Sequence, residues 1–241
     1  MPDMADICFL FDVDNTLIDN DAIIQDLSDY LEREYGGYAH DCYWAIFEEL
    51  RKELGYADYL GALERYRVKY MHDPRILRMA NWLIDYPFAE RLYPGAFDAV
   101  KHVAQWGTTA ILSDGDAVFQ PRKVFRAGLS ELFERHVLIY IHKEQELDYV
   151  ERVFPAKHYV LIDDKLRILD MVKRAWGPKV TTVFPRQGHY ALDPDLVAKY
   201  PPADITIERI GDLVQHDMGE FMNAARGAGS SLKPPMKEDL T

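Results

Sequence analysis

The stretch Ile7-Cys8-Phe9-Leu10-Phe11-Asp12-Val13-Asp14-Asn15-Thr16 decides the fold of this chain. Its first five residues are apolar and β-prone, and they predict a buried strand. Asp12 and Asp14 then stand at the strand's carboxyl end, where open α/β sheets bind ligands. Residues two apart in extended chain point the same way. Two neighbouring carboxylates repel, so the pair calls for a cation or a shared proton.

Three further apolar runs repeat the arrangement. Thr109-Ala110-Ile111-Leu112 ends in Ser113-Asp114-Gly115, and Val137-Leu138-Ile139-Tyr140-Ile141 leads to Lys143. Tyr159-Val160-Leu161-Ile162 ends in Asp163-Asp164. Taken alone, Ser113-Asp114-Gly115 is an ordinary turn, Lys143 a solvated lysine, and Asp163-Asp164 a cap before a helix at Leu166. Taken together, they put a polar group after each of four strands, at one edge of one sheet.

Between the first two strands the period changes from two to that of a helix. Apolar stripes run through Ile23, Ile24, Leu27, Tyr30, Leu31 and Tyr35, then Trp44, Phe47, Leu50 and Leu54. Two more run through Tyr59, Leu60, Leu63, Tyr66 and Tyr70, and, after Asp73-Pro74, through Ile76, Leu77, Ala80, Leu83 and Ile84. Gly36-Gly37 and Gly55 interrupt them. Four amphipathic helices on short turns predict an antiparallel bundle. The chain returns at Tyr93-Pro94-Gly95. Helices near 95–105, 117–127, 144–153 and 166–175 then alternate with strands at 108–112, 137–141, 158–162 and 179–184. Such alternation predicts a parallel sheet covered on both faces. Ala203–Ile207 adds an edge strand, 210–225 a closing helix, and the Gly/Ser/Pro/Lys tail from 227 reads as disordered. The expected fold is therefore α/β, a Rossmann-like core of residues 1–18 and 93–226 with a helical insertion over 19–92.

With 241 residues the chain can bury a sizeable core. A formal net charge of −12 argues against a nucleic-acid polymer as partner, since such binding needs lysine and arginine. It leaves room for a small phosphorylated ligand beside a metal ion. Two cysteines, Cys8 and Cys42, form no disulfide framework and suit a reducing, cytoplasmic setting. The acidic start with Asp3 and Asp6 is unlike a signal peptide. No apolar run is long enough to span a bilayer, so a membrane is not an expected partner. A monomer or homodimer is expected.

In these motifs and their order, over roughly residues 6–215, the chain resembles the haloacid dehalogenase superfamily. The resemblance implies that the helical insertion is a cap that closes over the site and selects the substrate. It implies an aspartyl nucleophile at Asp12 and a general acid and base at Asp14. Dehalogenases of the superfamily lack a carboxylate at the second position, whereas phosphatases and phosphomutases carry one. Ser113, Asp114 and Lys143 would bind the substrate phosphate. Mg2+ would be held by the Asp12 carboxylate, the Asp14 backbone carbonyl and Asp164, with Asp163 supporting and Thr16 orienting Asp14. Two positions depart from the pattern: Ile168 stands where many relatives have an acid, and Glu144 follows Lys143 where proline is frequent. The expected activity is Mg-dependent hydrolysis of a small phosphorylated metabolite through an aspartyl-phosphate. The alternatives are a phosphomutase, a dehalogenase-like hydrolase, or an idle binding protein. Tyr30, Tyr35, Tyr38, Tyr43, Tyr56, Tyr59, Tyr66 and Tyr70 enrich the insertion in tyrosine, mostly as core, with one or two expected at the cleft. The 186–189 loop is expected to be structural. The insertion is expected to touch the sheet domain little and to rock as a body.

Overall fold

The computed structural model describes residues 5–70 and 73–228. Six strands form one parallel sheet: β1 (Ala5–Phe11), β2 (Thr108–Asp114), β3 (Val137–Tyr140), β4 (Ala156–Ile162), β5 (Val180–Pro185) and β6 (Ile205–Ile207). Their order is β3-β2-β1-β4-β5-β6. The apolar run of β1 lies near the middle, with Phe11 opposite both Ile111 and Ile162. The chain leaves β1 for β2 on one side, and β4 flanks it on the other. The carboxyl ends of these three strands therefore bound the crevice where strand order reverses.

Strand periodicity divides the core. Ile7, Phe9 and Phe11 face one apolar layer and Cys8 and Leu10 the other, all fully buried. The second layer packs under α8 (Leu147–Val153) and α9 (Leu166–Trp176). The first packs under α5 (Ala96–Val103), α6 (Phe119–Arg126), α7 (Leu129–Leu132) and α12 (Met218–Ala228). Two short helices, α10 (Gly188–Leu192) and α11 (Pro194–Val197), follow β5.

Between β1 and α5 the insertion contributes four α-helices: α1 (Asn20–Tyr35), α2 (Gly37–Leu54), α3 (Tyr59–Lys69) and α4 (Ile76–Asp85). Asp19 caps α1 by accepting from the Ala22 N–H, and Asp58 caps α3 by accepting from Gly61. The two connections to the sheet run side by side. Ile18 pairs with Leu92, the Asp19 N–H donates to Arg91 O (2.7 Å) and the Tyr93 N–H to Leu17 O (2.9 Å).

The expectation of few ties between these helices and the rest is not met. The apolar layer on the Phe9 side runs without a break into α1–α4. Phe119 of α6 packs its ring against Tyr59 (5.0 Å between centroids) and Phe88 (5.6 Å). Arg122 and Arg126 on the same helix donate to the carbonyls of Ile84, Asp85 and Tyr86. Amphipathic stripes show which face of a helix is apolar, but not how far that layer extends.

Other boundaries shift for local reasons. The edge strand shortens to Ile205–Ile207 because Asp204 turns back to β5, where it accepts from the Thr182 N–H (2.8 Å) and Lys173 (2.7 Å). The 144–153 helix begins as a 3-10 turn at Lys143–Gln145 before α8. The closing helix divides into a 3-10 turn, Ile210–Gln215, and α12. Asp217 and Glu220 start α12 with reciprocal backbone caps (3.0 and 2.9 Å). Gly227 and Ala228 belong to α12, so the tail expected from 227 begins in helix and its remainder lies outside the described residues. Among the described residues no helix is long and apolar enough to cross a membrane.

Candidate active site

Asp12 follows directly on β1 and is buried. Its Oδ1 accepts from Lys143 Nζ at 2.6 Å and from Ser113 Oγ at 3.3 Å. The same ammonium lies 2.6 Å from Asp163 Oδ2 and donates to Leu112 O (3.3 Å). Residues from the ends of β1, β2 and β4, and from the turn after β3, thus meet at one point, as their order along the chain requires. Asp114 faces Lys143 differently, accepting from its backbone N–H (2.8 Å), which holds the turn after β3 against β2. Gln120 donates to Ser113 Oγ (3.1 Å) and fixes the serine rotamer.

Asp12, Asp163 and Asp164 each offer an oxygen within 4.8 Å of the others. Burial alone would raise the Asp12 carboxyl, but Lys143 and Lys165 outweigh it and hold Asp12 below the usual carboxylate range. Burial pushes Lys143 down, and Asp12 and Asp163 more than reverse that, so it stays a firm cation. Asp163 and Asp164 go up, first because both are buried. Asp163 has the Lys143 ion pair and the Lys165 N–H (2.8 Å), whereas among the described residues neither oxygen of Asp164 has a hydrogen-bond partner, nor has Asp12 Oδ2. Buried carboxylate oxygens without donors are costly. An all-oxygen set of this kind suits a hard divalent cation, so these residues fit magnesium.

Thr16 does not serve Asp14 as expected. Its hydroxyl accepts from the Asp164 N–H (3.1 Å) and so ties the β1 loop to the β4 loop. Asp14 instead meets Lys123 of α6, a lysine that the motif reading missed: Nζ lies 2.6 Å from Asp14 Oδ1 and 2.9 Å from Asn20 Oδ1. Lys123 is 0% exposed, while the Asp14 side chain retains 26%. Asn15 adopts φ 59°, a left-handed conformation that asparagine tolerates. From there its Oδ1 accepts from the Asn20 and Asp21 N–H groups at the start of α1.

The 186–189 loop braces the site. Gln187 donates to the carbonyls of Asn15 (3.2 Å) and Thr16 (3.0 Å). A Cβ on Gly188 would lie 2.4 Å from Asn15 Cβ, so only glycine lets the loops approach this closely. His189 binds Asp21 through its backbone N–H (2.7 Å) and Nδ1 (2.6 Å), and Arg51 donates to the Tyr190 hydroxyl. Above the carboxylates opens a cavity of about 960 Å³, bounded by α1, α2 and the 186–190 loop and reached by Asp14, Asp114 and Lys165. Of the nine tyrosines of the insertion, Tyr56 and Tyr59 line it.

The sheet order, the convergent carboxylates and the lysine define a hydrolase site of one recognisable class. A haloacid dehalogenase-like hydrolase family model matches residues 8–175, and the chain belongs to that family. A haloacid dehalogenase-like hydrolase from Burkholderia xenovorans LB400 is 60% identical, with TM-score 0.85, over 88% of this chain and 99% of that one. A family hydrolase from Xanthomonas campestris is 20% identical, with TM-score 0.65, over 94% and 97%. The L-2-haloacid dehalogenase of Xanthobacter autotrophicus with covalently bound chloropropionic acid is 21% identical, with TM-score 0.57, over 86% and 96%. The last two likenesses are of fold alone. No curated protein matches the chain.

Proposed function

We propose that this hydrolase is a magnesium-dependent phosphomonoesterase acting on a small phosphorylated metabolite. The observation that carries the reading is Asp14, a second carboxylate beside the nucleophile, anchored by a buried lysine. In the first step an Asp12 carboxylate oxygen bonds to phosphorus, and the bond from phosphorus to the ester oxygen breaks. Asp14, as the acid, gives a proton to the departing oxygen. In the second step Asp14, as the base, takes a proton from water. The water oxygen bonds to phosphorus and the Asp12–phosphorus bond breaks, leaving inorganic phosphate. Ser113 and Lys143 stabilise charge on the transferring phosphoryl oxygens, which is most of what such a transfer needs. Asp12, Asp164 and the Asp14 carbonyl would hold magnesium, with Asp163 in support. When bound, the ion neutralises phosphoryl charge.

The test is phosphate release from phenyl phosphate. Turnover should vanish in excess chelator and return with magnesium; full activity in chelator would refute the metal role. A second reading is attack by Asp12 on the carbon of a haloacid, favoured by the chloropropionic acid bound in the Xanthobacter dehalogenase. Halide release from 2-chloropropionate without phosphate release would select it.

A further inference from the structure

The cavity has two ends. Helix α1 turns Asp21, Ile24 and Ser28 toward it, and α2 turns His40, Trp44, Phe47 and Arg51. These spacings of three and four each mark one helix face. The helices run antiparallel through the turn at Gly36, so Ser28 and His40 stand at one end, beside that turn. Asp21 and Arg51 stand at the other, next to Asn15 and Tyr190. Ser28 lies seven helical steps beyond Asp21, about 10 Å along the axis. The wall between them carries the apolar bodies of Ile24, Trp44 and Phe47, with Gln25 and Glu48 beside them.

At the far end Ser28 Oγ lies 2.6 Å from His40 Nε2, and His40 Nδ1 lies 2.8 Å from Asp41 Oδ1. A carboxylate only accepts, so Nδ1 carries the hydrogen. Where the ring is neutral, Nε2 offers a lone pair and the Ser28 hydroxyl donates to it. The single proton of Ser28 is thereby used, and its oxygen is left as an acceptor. The neighbouring Gln25 amide is directed to Asp29 (2.8 Å) and does not supply the missing donor.

We propose that Ser28, held by His40 and Asp41, is a subsite for a hydrogen-bond donor at the far end of the substrate's leaving group. The substrate class is then an elongated phosphate monoester with an apolar middle and a terminal hydroxyl or amine that reaches about 10 Å past the Asp21 end of the cavity. The proposal rests on the phosphatase reading.

Binding tests it without turnover. The Asp12→Asn protein, with magnesium, is titrated calorimetrically with 8-hydroxyoctyl, nonyl and 8-methoxyoctyl phosphate. The hydroxyl ligand should bind about three- to tenfold more tightly than the nonyl ligand, the worth of one hydrogen bond. The methoxy ligand, which cannot donate, should resemble nonyl. Adding Ser28→Ala should bring the hydroxyl-to-nonyl ratio near one while nonyl affinity persists, and Ser28→Thr should restore the preference. Equal affinities with Ser28 present, a preference that survives Ser28→Ala, a methoxy ligand as good as the hydroxyl one, or no binding of any ligand would each overturn the subsite. Phenyl phosphate hydrolysis by the wild-type protein is measured in parallel. Its absence sinks the phosphatase reading, whereas its presence with no hydroxyl preference sinks only the subsite.

Discussion

Lys123 Nζ lies 2.6 Å from Asp14 Oδ1, and this contact joins α6 to the loop after β1. The same ammonium binds Asn20 at the start of α1, so one buried cation fixes the second carboxylate and the root of the helical insertion together. Lys123→Met should leave both without their anchor. Misplacing a catalytic group by about an ångström costs on the order of 100-fold in rate. The loss should be large on an alkyl phosphate, whose leaving oxygen needs a proton. It should be small on 4-nitrophenyl phosphate, whose leaving group is stable as an anion. Equal losses on both would make the pair structural only.

Replacing the carboxylates should separate their roles. Asp12→Asn removes the nucleophile and should abolish turnover with the fold intact. Asp14→Asn should cost about 10²–10⁴ in rate, the usual worth of general acid–base catalysis. Near-normal rates in Asp12→Asn would refute the covalent step.

The two oxygens of Asp164, without a partner among the described residues, make a prediction about stability. In chelator, Asp164→Asn should raise the melting temperature, because it removes a carboxyl whose charged form burial disfavours and whose oxygens have no donor among the described residues. Magnesium at about 100 times its dissociation constant should stabilise the wild-type protein by about 2.7 kcal/mol. For a chain of this size that is a rise of about 5–10 °C. Asp164→Asn should lose most of that rise. Thermal denaturation with and without magnesium checks both signs, and an unchanged magnesium response would remove Asp164 from the ligand set.

The sequence made Asp12, Ser113, Lys143 and Asp163-Asp164 legible because each directly follows an apolar run or stands within two residues of one. Strand ends of a parallel sheet share an edge, so order alone brings them together. Lys123 was not legible. It lies in the last turn of α6 beside Arg122 and Arg126, and in sequence it resembles their solvated charges. Its burial follows from Phe119 packing under Tyr59, a contact between segments 60 residues apart. Gln187 was hidden similarly: a glutamine in a loop carries no signal until that loop closes on Asn15 and Thr16. The role of Thr16 went astray because its partner, the Asp164 N–H, is remote in sequence.

His158 of β4 is buried, and its Nε2 lies 2.9 Å from the Thr181 hydroxyl. That hydroxyl spends its proton on Phe221 O (2.6 Å), so the imidazole must donate. Burial, then the Lys173 ammonium, lower the ring's affinity for a second proton. The unfolded chain therefore protonates this histidine first as pH falls below about 6.5. Its contribution to stability is complete above that pH and lost as pH falls toward the depressed folded value. Melting temperatures measured between pH 7.5 and 5.5 should fall less steeply in His158→Gln than in the wild-type protein. Parallel curves would deny His158 a part in acid sensitivity.

The two cavity tyrosines should behave oppositely. Tyr59 stacks on Phe47 (4.8 Å between centroids), packs on Phe119 and accepts the Tyr43 hydroxyl at its carbonyl (3.0 Å). It belongs to the seam that binds the helical insertion to α6, so Tyr59→Ala should cost about 3–5 kcal/mol, as core aromatic truncations do. Activity should then fall on every substrate alike. Tyr56 is only partly buried and reaches the same cavity from the turn before α3. Removing it takes away cleft wall rather than core, so Tyr56→Ala should leave stability within about 0.5 kcal/mol. It should shift the ratio of kcat/KM between a large aryl phosphate and phenyl phosphate, because only the large leaving group reaches the helices. If the insertion rocks about its paired roots at Ile18 and Leu92, the aromatic seam at Phe119 is what it must slide over. Tyr59→Ala would then loosen that motion, and Tyr56→Ala would not. Equal losses on both substrates in Tyr56→Ala would mean that this wall supports the fold and selects nothing.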